Sequence, residues 1–355
     1  MKTRRRSAFA SLLLVVQLAG FSALRAADTI PAQLTDQEFW KLSSEFSEVD
    51  GDFRSDNLLS NESYFQYVIP QLNESIKPGN VYMGVGPEQN FTYIAALKPK
   101  MVFIVDIRRG NLDLQLMYKA LFELSKNRAE FVSRLFSKKQ PEGIGPNSTV
   151  EEIFAAIASA PSSDELYDEN LNAIKSQLLK KHGFALSDKD IDGIDWVYSN
   201  FRRFGPRINY GSSGRSNFSN GVTYADLMIA TDEKGVSRSY LANEENFNVM
   251  KSLEAKNLIV PVVGNFAGPK AIRAVARYLK DKQGTVTAFY LSNVEQYLQQ
   301  DGIWEDFCKN VSALPLDASS TFIRSVRGGR FGNGAGLNSD LGNMSSEVKV
   351  CTPEK

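Results

Sequence analysis

Residues 81–107, "VYMGVGPEQNFTYIAALKPKMVFIVDI", constrain the fold of this chain more than any other stretch. A short apolar run leads into two glycines, Gly84 and Gly86. A helical run follows, then a second apolar run that ends on an acid, Asp106. Apolar runs without alternation belong to strands covered on both faces, as in parallel sheets. A long helical pattern, "LDLQLMYKALFELSKNRAEFVSRLF", comes next. Strand, helix, strand and helix at this spacing predict a parallel sheet with right-handed crossovers.

The pattern returns in the second half of the chain. "LIVPVVGNF" (258–266) and "TVTAFYLSN" (285–293) read as further strands, separated by the helix "GPKAIRAVARYLKDKQG". Before the first strand, "LTDQEFWKLSSEF" and "SNESYFQYVIPQL" read as amphipathic helices, the second capped near Ser60 and Asn61. Residues 137–204 carry helical patterns only, with capping boxes from Ser148 to Glu151 and from Ser162 to Glu165, and with closing glycines Gly183 and Gly205. They form an all-helical insertion over one edge of the sheet. A loop rich in Gly, Ser and Asn (205–221) follows. The fold class is therefore α/β: an open, mainly parallel sheet with helices on both faces, plus that insertion. Residues 27–326 make one domain. Residues 327–355 read as a flexible tail, because too little of the segment is apolar.

The first 26 residues stand apart. A basic start (Lys2, Arg4, Arg5, Arg6), an apolar stretch and small residues at Ala26 and Ala27 have the layout of a secretory signal peptide. The arginine run permits a twin-arginine route, but ordinary secretion fits the remaining residues better. The expectation is an exported protein, periplasmic or secreted, cleaved near Ala26 and without a membrane span in the mature chain. Five of the 41 basic residues lie in the leader and none of the 41 acidic ones, so the mature net charge is −5. An acidic surface gives no electrostatic footprint for nucleic acid. With one histidine, His182, and two cysteines, Cys308 and Cys351, histidine triads and zinc clusters are not expected. His182 ends a helical turn, where contact with the helix dipole accounts for it. A bridge between Cys308 and Cys351, or two free thiols, both fit the sequence.

In open α/β sheets ligands bind outside the carboxyl ends of the strands. Those ends carry Gly84, Gly86 and Glu88; Asp106 and Arg108; Gly264, Asn265 and Phe266; and Ser292, Asn293 and Glu295. Glycines let the backbone approach a ligand without a Cβ in the way. Asp106, twenty residues past Gly86, stands where a carboxylate can accept bonds from a ribose diol. Gln89 replaces the third glycine of a dinucleotide fingerprint, and Pro87 removes an N–H from the turn, which disfavours a pyrophosphate. A second reading has the glycines as a turn only and Asp106, Asn265 and Asn293 as helix caps.

"MGVGPEQNFTYIAA…MVFIVD" resembles the first motif and following acid of class I S-adenosylmethionine-dependent methyltransferases. The resemblance implies S-adenosylmethionine as cofactor, with Gly84 and Gly86 facing its methionine part and Asp106 its ribose. "SDN…SNE", "TYADLM", "VPVVGNFAGPKAIRAV" and "FYLSNVEQYL" resemble a family of exported bacterial proteins with a methyltransferase-like core and no assigned activity. "GNFAG", counted as following the fourth strand, departs from the Asn/Asp-Pro-Pro-aromatic motif of amino-methyltransferases. Glu88, Asn265 or Glu295 would position an acceptor. The cofactor is made in the cytoplasm, so export favours a binding protein, or a relative that has lost catalysis, over an active enzyme. The expected site residues are Gly84, Gly86, Glu88, Asp106, Asn265 and Asn293, binding a small nucleoside-like or diol ligand.

Overall fold

Strands β1 (Val81–Gly84), β2 (Met101–Asp106) and β3 (Ile259–Val263) are buried along their whole length, as their unbroken apolar sequences require. With β4 (Val286–Ser292), β5 (Thr321–Arg327) and β6 (Leu337–Asn343) they form one sheet in the order β3-β2-β1-β4-β5-β6. All pairs are parallel except β5–β6. The computed structural model describes residues 28–214, 221–327 and 337–351. The signal-peptide reading and part of the loop 205–221 lie outside them.

Chain order runs outward from β1 in both directions, through β2 to β3 and through β4 to β5, so the switch point lies between β1 and β4. In register, Gly84 faces Ile104 on one side and Tyr290 on the other. Asp106 pairs with Val263. The ends of β1, β2, β3 and β4 therefore share one edge. Pro261 is tolerated because β3 is the outer strand there. Its free side is covered by the helix Asp36–Phe46 and the residues after it: Ser43 donates to the Pro261 carbonyl at 2.6 Å, and the Glu48 amide to that of Val263 at 2.8 Å.

Several boundaries differ from the sequence reading. The long helix after β2 is two, Arg109–Leu124 and Arg128–Leu135, separated where Asn127 caps the second by accepting from the Glu130 amide. The insertion caps each fall one residue later than read. Thr149 forms a capping box with Glu152, and Ser163 caps Asp164–Ser176 without a reciprocal acid. "SNES" is a turn, and helix begins only with the 3-10 segment Phe65–Val68 and Ile69–Ser75. The insertion packs on Arg109–Leu124 rather than directly on a strand edge: Gly193 of Asp188–Phe204 lies so close to Asp113 that a Cβ would overlap its carboxylate.

The C-terminal part is not simply a tail. Residues 337–351 make β6 and the helix Met344–Cys351, with Asn338, Ser339 and Met344 buried. β6 is polar in sequence, and its order comes from pairing with β5, which gives β5 a partner on its second side and leaves β6 as the edge strand. Cys308 is disulfide-bonded, while the side chain of Cys351 lies outside the described ones. Among the described residues no helix is long and apolar enough to cross a membrane.

Candidate ligand cavity

A cavity of about 650 Å³ opens at the switch point. Its floor is the turn after β1 (Val85, Gly86, Pro87) with the ends of β2, β3 and β4. Its walls are residues of the segment before β1, among them Phe53, Arg54 and Glu62, together with Tyr210 and Tyr297. Phe53 packs edge-on to Tyr297 at 5.2 Å, and the Arg54 guanidinium sits 4.9 Å above the same ring and donates to its hydroxyl. The described ends of the loop 205–221 reach the wall through Tyr210 and Gly221.

The glycine turn is held from behind. The Asn90 side chain donates to the carbonyls of Val85 at 2.8 Å and Pro87 at 2.7 Å, and accepts from the Tyr82 hydroxyl at 2.9 Å. Gln115 donates to the Gly86 carbonyl at 3.0 Å. Gly86 has φ +75°, and a Cβ there would lie 3.9 Å from a carboxylate oxygen of Asp106. Gly86 and Asp106 are thus neighbours on the floor. Gly84 is not: a Cβ on it would overlap Asn90 Oδ1, so it makes room for the asparagine that pins the turn.

Asp106 is bound by its own chain. Arg108 donates to it three times: from its backbone N–H to Oδ1 at 2.9 Å, from Nε to Oδ1 at 3.1 Å, and from NH2 to Oδ2 at 3.1 Å. Another guanidinium nitrogen donates to the Asp56 carbonyl. Both side chains are nearly buried, so this pair fixes the orientation of the carboxylate. A carboxylate has about four acceptor positions, so a ligand must share these oxygens with Arg108.

At the other end stands Glu62, which the sequence reading did not single out. Its Oε1 accepts from the Tyr290 hydroxyl at 2.8 Å and Ser292 Oγ at 2.7 Å, and its Oε2 from Gln89 Nε2 at 2.7 Å. Burial pushes the Glu62 carboxyl above the usual range, against these donors and the Ser325 hydroxyl. Ser292 reaches it from a left-handed backbone, φ +50°, beside a register shift between β4 and β5. A non-glycine residue in that region costs on the order of 1–3 kcal/mol and persists only where its surroundings impose it. Glu62 lies in the "SNE" already quoted for the family resemblance, which was the available signal.

The remaining expected residues divide. Asn265 and Asn293 line the cavity. Asn265 Oδ1 accepts from the Ala267 amide at 2.9 Å, whereas the Asn293 side chain makes no capping bond. Glu88 is turned away into the core, accepting from the Ser60 amide at 3.2 Å, and burial raises it to about 8. Glu295 is also outside the wall, engaged by Arg324. His182 is not among the cavity-lining residues; it sits between Asp36 and Glu123, with ring nitrogens 2.6 and 2.7 Å from their oxygens, and so is a hydrogen-bonded clamp rather than a dipole contact alone. No group of three or more His, Cys, Asp or Glu suited to a metal occurs among the described residues.

The model of one family, described as a domain of unknown function (DUF7790), matches residues 58–346. No curated protein matches the sequence. The matched span runs from the cavity wall before β1 through all six described strands. The chain belongs to the DUF7790 family.

Proposed function

We propose that this is an exported protein that binds a small nucleoside-like or diol-bearing ligand in the switch-point cavity. The observation that carries the reading is the adjacency of Gly86 and Asp106 on the cavity floor, an open backbone approach beside an oriented carboxylate. The volume falls within the roughly 300–1,000 Å³ range of small-molecule sites, and several aromatic side chains in the wall suit a flat ring. Asn293 adds a polar group at the far side of the floor.

A methyltransferase-like core is the finer form of this reading, and strand order supports it through the reversal beside β1. The structure changes which residues would face an acceptor. The strand before Asn265 is the third and outermost, not the fourth; the strand beside β1 is β4, whose end carries Ser292 and Asn293. Active methyl transfer with S-adenosylmethionine is therefore a second reading, centred on Asn293 rather than Glu88 or Glu295.

A thermal-shift screen of the purified protein against S-adenosylmethionine, S-adenosylhomocysteine, nucleosides, nucleotides and sugars tests both. A ligand at a hundredfold its Kd adds about 2.7 kcal/mol of stability. Product formation with S-adenosylmethionine would separate the second reading from the first. A screen with no stabilising compound would count against both. Export is tested by mass analysis of the N-terminus in the native host: an intact Met1 would contradict it.

A further inference from the structure

Glu62 is 1 % exposed, yet it lines the cavity. The hydrogen bonds to its carboxylate come from neutral donors: the Tyr290 and Ser292 hydroxyls and the Gln89 amide, with the Ser325 hydroxyl beside them. Among the described residues no lysine, arginine or histidine forms an ion pair with it. The titratable groups that act on it or respond to it are Tyr82, Tyr93, Tyr290 and Glu88, none of them cationic. The nearby arginines are committed elsewhere. Arg108 is on Asp106, Arg54 is on Tyr297, and Arg324, on the neighbouring strand, is shared by Glu295 and Glu347.

Three donors converging on a carboxyl favour its ionised form, but burial without a counter-charge opposes it. A buried charge is ordinarily paired, and leaving one unpaired is costly. The chain solves this at Asp106 with an arginine, whereas among the described residues Glu62, in the wall of a cavity, has no such partner. We infer that Glu62 is the recognition group for a cationic centre, an ammonium or a sulfonium, on the ligand of this cavity. The inference rests on the ligand-binding reading above and adds a charge to it. A cation entering the cavity supplies the missing partner, and Tyr290, whose hydroxyl already contacts Glu62, stands beside it.

Two pairs of probes that differ in charge test the inference: choline against 3,3-dimethylbutan-1-ol, and 5′-amino-5′-deoxyadenosine against adenosine. Each is titrated calorimetrically into wild type and Glu62→Gln at pH 5 and pH 8. The expected result is that at pH 8 the cationic member of at least one pair binds roughly tenfold tighter, the scale of one charge-assisted contact. The preference should shrink as pH falls and the carboxyl, raised by burial, takes up a proton, and it should vanish in Glu62→Gln. Equal binding of charged and neutral members, or a preference that survives in Glu62→Gln, overturns the inference. If adenosine binds without any preference for the amine, the cavity reading stands and the cation falls. If neither pair binds, the cation falls, and the cavity reading falls with it only when the nucleoside and sugar screen is also empty. Should Glu62→Gln fail to fold, wild type alone decides. The charge preference in wild type at pH 8 is then the readout, and equal binding of the charged and neutral members overturns the inference.

Discussion

At the β2 end of the cavity Asp106 meets a guanidinium from two residues along the chain, whereas at the β4 end Glu62, among the described residues, meets only hydroxyls and an amide. Both carboxylates are nearly buried, so the difference lies in partners rather than in solvent. The first end is electrostatically complete, and in the proposed reading it is a rigid acceptor. The second, among the described residues, is incomplete, and in the same reading it takes its charge partner from the ligand. Removing an internal partner should therefore be destructive at one end and tolerable at the other.

The largest expected effect follows from breaking the complete end. Arg108→Met leaves Asp106 buried with no cation, and such losses cost about 3–5 kcal/mol. Urea unfolding should show that drop, while Glu62→Gln at pH 8 should be neutral or stabilising. Equal destabilisation by the two variants would erase the contrast. For the same reason Asp106→Ala is a poor binding probe, since it strands Arg108; Asp106→Asn keeps an acceptor for the guanidinium.

The next effect sharpens the cost of an unpartnered buried acid. Glu88 is raised to about 8 by burial, and its Oε2 has no hydrogen-bond partner. A raised folded-state value means that the native state holds the proton longer than the unfolded chain. Stability is then fully present below about 4.5 and is lost as pH climbs toward 8. Glu88→Gln should flatten that loss, with a gain of up to roughly 2–4 kcal/mol at pH 8 and little near pH 4.5. A constant difference across this range, read from denaturant midpoints, would contradict it.

Glu123 gives the opposite sign on a smaller scale. Burial pushes it up, but hydrogen bonds from His182 and Lys119 and the Lys119 charge bring it down to about 2. Its contribution is present above about 4.5 and lost as pH falls toward 2. Glu123→Gln should cost about 1–3 kcal/mol at neutral pH, and the cost should fade in acid. An acid-unfolding midpoint at the wild-type position would argue that the clamp is idle. Smallest is Gly86→Ala: φ is +75°, but nothing lies within 3.9 Å of the added Cβ, so about 1–2 kcal/mol of backbone strain is expected.

The central strands were legible because β1, β2, β3 and β4 are buried on both faces and say so in apolar runs. β5 and β6 were not, because "LNSDLGN" owes its strand to a neighbour's hydrogen bonds rather than to its own side chains. Of the residues expected from the strand-end rule, Gly86, Asp106, Asn265 and Asn293 line the cavity. Gly84 and Glu88 failed it because proximity in sequence does not fix facing. One makes room for Asn90, and the other is directed by the following helix into the core. Glu62 was invisible to the rule, since it comes from an irregular segment that precedes the first strand and meets the end of β4 and the start of the helix after β1 only in the fold.

The measurement closest to the central claim is a crystal structure of the protein soaked with the most stabilising compound of the screen. The account predicts ligand density over Gly86, with hydroxyls at Asp106 and a positive centre within hydrogen-bond reach of Glu62. Density at another surface, with the switch-point cavity filled only by water, would contradict it.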